Sequence, residues 1–170
     1  MQERTIMIFP QFSNQAIINE IRKKYDPLYN LVSPHITLVF PFKSSMPNEI
    51  LSQKLEECLK ETVSFSLVLQ GISRHKDIYG NYIFLNVKKG SREIVEIHNS
   101  LYKDIFGEDC CHPFVPHMTI GNLDTADKME QAYETVKDMD TSFETIIEKV
   151  SVEMIGNNGE SNIIIEKSLR

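Results

Sequence analysis

Apolar residues recur along this chain with two periods, near two and near 3.6, which predicts strands interleaved with amphipathic helices. The first strand is Thr5–Phe9, a short apolar run ended by Pro10. Asn14 stands where an N-cap belongs, and Ala16, Ile17, Ile18, Ile21 and Tyr25 follow at helical spacing until Asp26-Pro27 closes the helix. Ile36–Phe42 reads as a strand broken by Pro41 and by a turn over Lys43–Pro47. Pro47 opens a second helix whose apolar face is Leu51, Leu55, Cys58 and Leu59. Strands are predicted at Ser64–Ser73 and Tyr82–Lys88, with turn chemistry in Asp77-Ile-Tyr-Gly-Asn between them. Ile94, Ile97, Leu101 and Ile105 mark a third helix ended by Gly107. Phe114–Leu123 is a strand with prolines only at its entry, and Met129, Ala132, Tyr133 and Val136 mark a fourth helix. Two long strands near Phe143–Ile155 and Asn162–Leu169 finish the chain, joined by the hairpin signal Gly156-Asn-Asn-Gly.

The predicted order is β-α-β-α-β followed by β-α-β-α-β-β. This points to an α+β protein of two lobes related by a pseudo-twofold axis, each a mainly antiparallel sheet backed by helices, with a cleft between them. With 170 residues and no clear linker, residues 1–170 read as one bilobal domain. Hydrophobic residues at 41% are enough for a core, and no run approaches the roughly 20 apolar residues that span a bilayer. The N-terminus MQERTIMIFP places charges before a short apolar run, unlike a secretory leader, so a cytoplasmic protein is expected.

The formal net charge is −6, with no basic face of the kind that wraps long nucleic acid. The small clusters Arg22–Lys23–Lys24 and Lys88–Lys89 with Arg92 read as solvated helix ends. A nucleic-acid partner is therefore a nucleotide, a short oligomer or an RNA end, and neither a long duplex nor a membrane is expected. Three cysteines, Cys58, Cys110 and Cys111, give no disulfide framework. Cys110, Cys111 and His112 lack the spacing of a zinc module, so they read as ordinary thiols and a loop histidine, with no metal.

The chemistry lies in Ser33-Pro-His-Ile-Thr-Leu-Val-Phe and Val115-Pro-His-Met-Thr-Ile-Gly-Asn, two copies of Pro-His-x-Thr-apolar about half a chain apart. Alternation along a strand puts His35, Thr37 and Val39 on one face and Ile36, Leu38 and Phe40 on the other. It likewise puts His117, Thr119 and Gly121 opposite Met118 and Ile120. Packing the lobes about a pseudo-twofold axis would converge two imidazoles and two hydroxyls on one cleft. Two imidazoles with an ordinary pKa of about 6.5 can serve as base and acid near neutrality, and threonine hydroxyls can donate to phosphate oxygens. Pro34 and Pro116 fix the backbone before each histidine. One His-x-Thr alone is a weak signal; two on strands of matching phase are much stronger. Among the other histidines, His98 falls on the apolar face of its helix, His75 in a turn after a strand and His112 in a loop.

These paired segments resemble the signature of the 2H phosphoesterases, which include the 2′-5′ RNA ligase-like proteins and cyclic nucleotide phosphodiesterases. The stretch from Tyr25 to Leu38 and that from Phe114 to Gly121 resemble the small stand-alone bacterial members. The resemblance implies a bilobal fold, no metal or other cofactor, and action on 2′,3′-cyclic phosphates or 2′-5′ linkages at RNA ends. It implies catalysis by His35 and His117 and phosphate binding by Thr37 and Thr119. The ligase-like branch often carries an arginine shortly after the second motif, where this chain has Asn122. Lys43 or Arg74 is a candidate substitute charge, and Phe42 and Phe114 are candidates for base stacking or for the core. A binding module that holds a nucleotide or RNA end in the same cleft without turnover is the competing reading.

Overall fold

A computed structural model of the protein describes residues 2–107 and 113–170, so Cys110, Cys111 and His112 lie outside the described residues. Eight strands and four helices follow one another as β1 Gln2–Ile8, α1 Gln15–Tyr25, β2 Ile36–Ser44, α2 Asn48–Leu59, β3 Phe65–Lys76 and β4 Asn81–Lys89, then α3 Ser91–Leu101, β5 His117–Leu123, α4 Ala126–Val136, β6 Phe143–Ile147, β7 Lys149–Ile155 and β8 Ser161–Ser168. A π-helical turn, Tyr102–Phe106, extends α3 to the left-handed Gly107. The expected elements are all present. The largest difference is at Phe143–Ile155, which is two strands that part at Glu148 and enter different sheets.

The strands form two antiparallel sheets, β2-β1-β7-β8 and β5-β4-β3-β6. The unit β1-α1-β2-α2 is repeated as β4-α3-β5-α4, and the motif strand, β2 or β5, is an edge of its sheet in each copy. The sheets meet along these two edges, and each is backed by one helix from either half. Helix α1 packs on β5 while α3 packs on β2, so the halves are exchanged across the interface. This exchange buries Ile94, Ile97 and Leu101 of α3, the apolar stripe read from the sequence, but of the stripe read on α1 only Ile18 is buried: Ile21 and Tyr25 are half-buried, and Ala16 and Ile17 are exposed. Asn14 is at the start of α1 but does not cap it; its amide donates instead to the Ser142 carbonyl at 3.0 Å, linking the two halves.

Alternation along each motif strand fails just after its threonine, and these two failures match. Met7 pairs with Thr37 but Ile6 pairs with Val39, leaving Leu38 as an extra residue in β2. Phe84 pairs with Thr119 but Ile83 pairs with Gly121, leaving Ile120 as an extra residue in β5. A β-bulge of this kind reverses the phase of every residue after it. Val39 is consequently buried in the core and Phe40 is 49% exposed, the reverse of simple alternation. Gly121 likewise turns away from the face of His117 and Thr119; a Cβ there would stand 3.2 Å from that of Tyr25. The glycine lets α1 lie close against β5. Pro41 does not end β2, which continues to Ser44 because the ladder is bulged a second time at Phe40–Pro41 and the outer side of an edge strand needs no N–H.

The loop from α1 to β2 is built on a buried ion pair. Arg22, 1% exposed, donates from Nε to Asp26 Oδ2 at 2.7 Å and from Nη2 to the Val32 carbonyl at 2.9 Å. Asp26 Oδ1 accepts from the Leu28 amide at 2.9 Å. The pair thus closes α1 and shapes the segment that delivers His35. Removing one partner of such a pair strands a buried charge. Asp26→Ala is expected to destabilise the protein by about 3–5 kcal/mol in urea titrations, and the double change Arg22→Met with Asp26→Leu by much less. A loss below about 1 kcal/mol in the single variant would show that the pair does not hold this loop.

Candidate active site

The residues Ser33-Pro34-His35 and Val115-Pro116-His117 enter the two edge strands with the same contact between ring and backbone. A proline restricts the preceding residue to extended backbone, and its own φ is fixed near −65°. In both segments this turns the carbonyl two residues before the histidine back toward the ring. His35 Nδ1 lies 2.9 Å from the Ser33 carbonyl and His117 Nδ1 lies 2.8 Å from that of Val115. A carbonyl can only accept, so Nδ1 carries the proton in the neutral ring. The lone pair then resides on Nε2, which makes no hydrogen bond with a described residue in either histidine. The hydroxyls of Thr37 and Thr119, half-buried on the same strand faces, are likewise uncommitted among the described residues.

Burial holds both histidines below the ordinary value of about 6.5, and the carbonyl bonds offset part of this. The charges of Arg22 and of His117 lower His35 further, while Asp26 raises it, and His75 lowers His117. His35 and His117 therefore lie within electrostatic reach of one another, at the junction of β2 with β5. His35 and Thr37 stand at the start of β2 and His117 and Thr119 at the start of β5, the two strands that meet there.

The walls of the two half-sites differ. Phe84 stacks on His117 with ring centroids 3.7 Å apart, and Tyr82 and His75 each lie nearly parallel to Phe84 at 5.8 Å. His35 is flanked by Phe9, centroids 6.0 Å apart. His75 is in β3 rather than in a turn; it pairs with Tyr82 across the ladder and its Nε2 is 3.5 Å from Asp77 Oδ2. Phe84 and Tyr82 were not legible as site residues, because each reads as an ordinary strand residue until the register with β5 is known; His75 is visible as a histidine but reads as part of a turn, because β3 runs further than the sequence pattern suggests.

Other candidates lie elsewhere. Phe42 packs edge-on against Phe106, and Phe114 stacks on the buried His98 at 3.7 Å, so both are core aromatics. His98 fulfils its expected core role, with Nδ1 2.6 Å from the Leu38 carbonyl at the bulge. Arg74 turns to the helix side, where its guanidinium is 4.5 Å from the Tyr133 ring and is paired with Glu130. Lys43 is near the far end of β2, opposite Glu3. Neither supplies a cation beside Asn122, which pairs with Tyr82. Cys58 is half-buried beside Asp104, and burial pushes its thiol up to about 12, an unreactive state. No three metal-binding side chains converge among the described residues, and no helix is long and apolar enough to cross a membrane.

Residues 9–158 match the family model described as the 2′-5′ RNA ligase superfamily. The chain belongs to this superfamily. A candidate phosphoesterase of Oceanobacillus iheyensis is 36% identical over 68% of this chain and 67% of its own length. Another, of Bacillus licheniformis, is 31% identical over 85% of each chain. Among solved structures, E. coli LigT complexed with 3′-AMP shares the fold, with a TM-score of 0.63, 15% identity, and 99% and 98% of the two chains covered. The resemblance read from the paired motifs, and the α+β fold of two helix-backed antiparallel sheets, are thus those of this 2′-5′ RNA ligase superfamily member.

In this superfamily member the carbonyl bonds make a sharp expectation. Two-bond nitrogen–proton correlation spectra at alkaline pH should show the Nδ1–H tautomer for His35 and His117, with both rings titrating below about pH 6.5. The Nε2–H tautomer in either ring would contradict the geometry.

Proposed function

We propose that the protein is a metal-independent phosphoesterase that opens cyclic or 2′-5′ phosphodiesters of nucleotides or RNA ends, with His35 and His117 as acid and base. The observation that carries this reading is the matched pair of imidazoles, each tied through Nδ1 to a backbone carbonyl with Nε2 left free. The neutral ring takes a proton from water through Nε2 as the water oxygen attacks phosphorus. The protonated ring gives its Nε2 proton to the ribose oxygen as the bond from phosphorus to that oxygen breaks. Thr37 and Thr119 donate to the non-bridging oxygens, where charge builds in the transition state. Residues 1–170 act as one bilobal unit, since each half contributes one histidine. Support for a nucleotide substrate comes from LigT, whose fold this chain shares and which has been solved with 3′-AMP.

His35→Ala and His117→Ala are each expected to lower kcat on 2′,3′-cyclic nucleotides by about 10²–10⁴-fold, with a chelator leaving the wild-type rate unchanged. The double variant should lose little more than either single one, because the two rings act as a unit. Wild-type rates in both single variants would sink the mechanism. Binding of the same nucleotides without turnover by the wild type would instead favour a non-catalytic module.

The pH profile follows from the lowered values. One ring must be neutral and the other charged, and that state is most populated between the two titrations, both below about pH 6.5 in the free protein. The profile of kcat/KM should therefore peak on the acid side of neutrality and fall about tenfold per pH unit above it. A maximum near pH ~8 would contradict this assignment of the acid.

A further inference from the structure

Next to His35 the molecule has a groove of about 670 Å³ between α1, the loop before β2 and strand β8, well within the roughly 300–1,000 Å³ of ligand pockets. Phe9 lines it and is also the aromatic neighbour of His35, while Ser33 and Pro34, the two residues before that histidine, form part of its rim. The groove is thus continuous with the motif. We propose that it is a second nucleotide subsite, which holds the nucleotide next to the reacting phosphate. This rests on the phosphoesterase reading above.

The lining carries the chemistry. Gln15, Asn19 and Arg22 are spaced four and three residues apart on α1, so they form one stripe along the helix facing the groove. Its members are two amides and a buried guanidinium, whereas the ordinary solvated residues of this helix, Lys23 and Lys24, lie on its exposed face. The side-chain amides of Asn19 and, across the groove, Asn30 make no hydrogen bond with a described residue. An amide offers both donors and an acceptor, which matches the mixed edge of a splayed base. Phe9 and Tyr29 supply ring faces beside them.

Arg22 adds a fixed donor. It is 1% exposed, its Nε and Nη2 are held by Asp26, Leu28 and Val32, and its Nη1 makes no hydrogen bond with a described residue. The charge is already balanced by Asp26, so the guanidinium stays in place without a ligand. Lys149, the other cation of the groove, is paired with Glu166 at 2.6 Å. The groove as a whole is therefore close to neutral. Such a site selects a base and sugar by hydrogen bonding and stacking; it would not draw in any anion.

The test compares kcat/KM on a 2′,3′-cyclic mononucleotide with that on a trinucleotide ending in the same cyclic phosphate. The wild type should prefer the trinucleotide by about tenfold or more, the scale of two or three hydrogen bonds. Asn19→Ala combined with Asn30→Ala should bring the trinucleotide down to the mononucleotide level and leave the latter unchanged. Equal kcat/KM on the two substrates in the wild type, or a parallel loss on both in the variant, would overturn the subsite. Turnover of neither substrate would count against the phosphoesterase reading alone. The subsite would then be judged by titrating a fluorescent trinucleotide, whose affinity should fall about tenfold in the Asn19/Asn30 variant and would refute the subsite if unchanged.

Discussion

An edge strand leaves one row of backbone groups without ladder partners, and each sheet of this protein ends on the strand that carries its motif. Laying β2 against β5 covers both edges and brings His35 and His117 to the same line of contact. The two bulges depend on this arrangement. An extra residue at Leu38 and at Ile120 disturbs only one ladder, because neither strand has a second partner within its own sheet. In return, the histidine and threonine stay on the cleft face while the next residues turn inward to meet the opposite half's helix. Without the bulges, Val39 would stand in the cleft and α1 would meet a different face of β5. The exchange of α1 and α3 between sheets presses each helix against the strand that carries one of these two irregularities.

The short contacts around each histidine then set its chemistry. A bond from Nδ1 to a main-chain carbonyl fixes both tautomer and ring plane without using a carboxylate. A carboxylate in that position would raise the imidazole pKa; the weaker carbonyl does not compensate for burial, and both rings remain below their ordinary value. The matched construction also explains the prolines. Pro34 and Pro116 remove two backbone freedoms at the place where a small rotation would carry the carbonyl out of range of the ring.

Much of this was legible in the sequence, for identifiable reasons. Period-two and period-3.6 patterns marked each element because most bury only one face, as Ile94, Ile97 and Leu101 do. The duplicated Pro-His-x-Thr marked the matched ring–carbonyl contacts, because both copies carry the same residues at the entry to an edge strand. Failures came where the information is non-local. Alternation assigned Val39 and Gly121 to the cleft, since a bulge is visible only in the partner strand's register. Phe42 and Phe114 were close to the motifs in sequence but point into the core, whereas Phe84 reaches His117 from a different strand. Asn14 had the right type and place for a cap, but its amide is engaged by Ser142 from the other half.

The near-symmetry of the site has a consequence for any asymmetric substrate. The histidines, threonines, prolines, carbonyl bonds and the bulges that follow the threonines all have counterparts under the pseudo-twofold exchange. The walls do not. Thr119 is opposite Phe84, but Thr37 is opposite Met7. His117 lies under a ladder of rings made by Phe84, Tyr82 and His75, while His35 opens through Phe9 toward an amide-lined groove. A phosphodiester has chemically distinct oxygens on its two sides, and two equivalent imidazoles cannot tell them apart. On the proposed chemistry, the division into acid and base is therefore made by what binds on either side of the phosphate. The ring ladder and the groove, rather than the histidines, would decide which oxygen leaves.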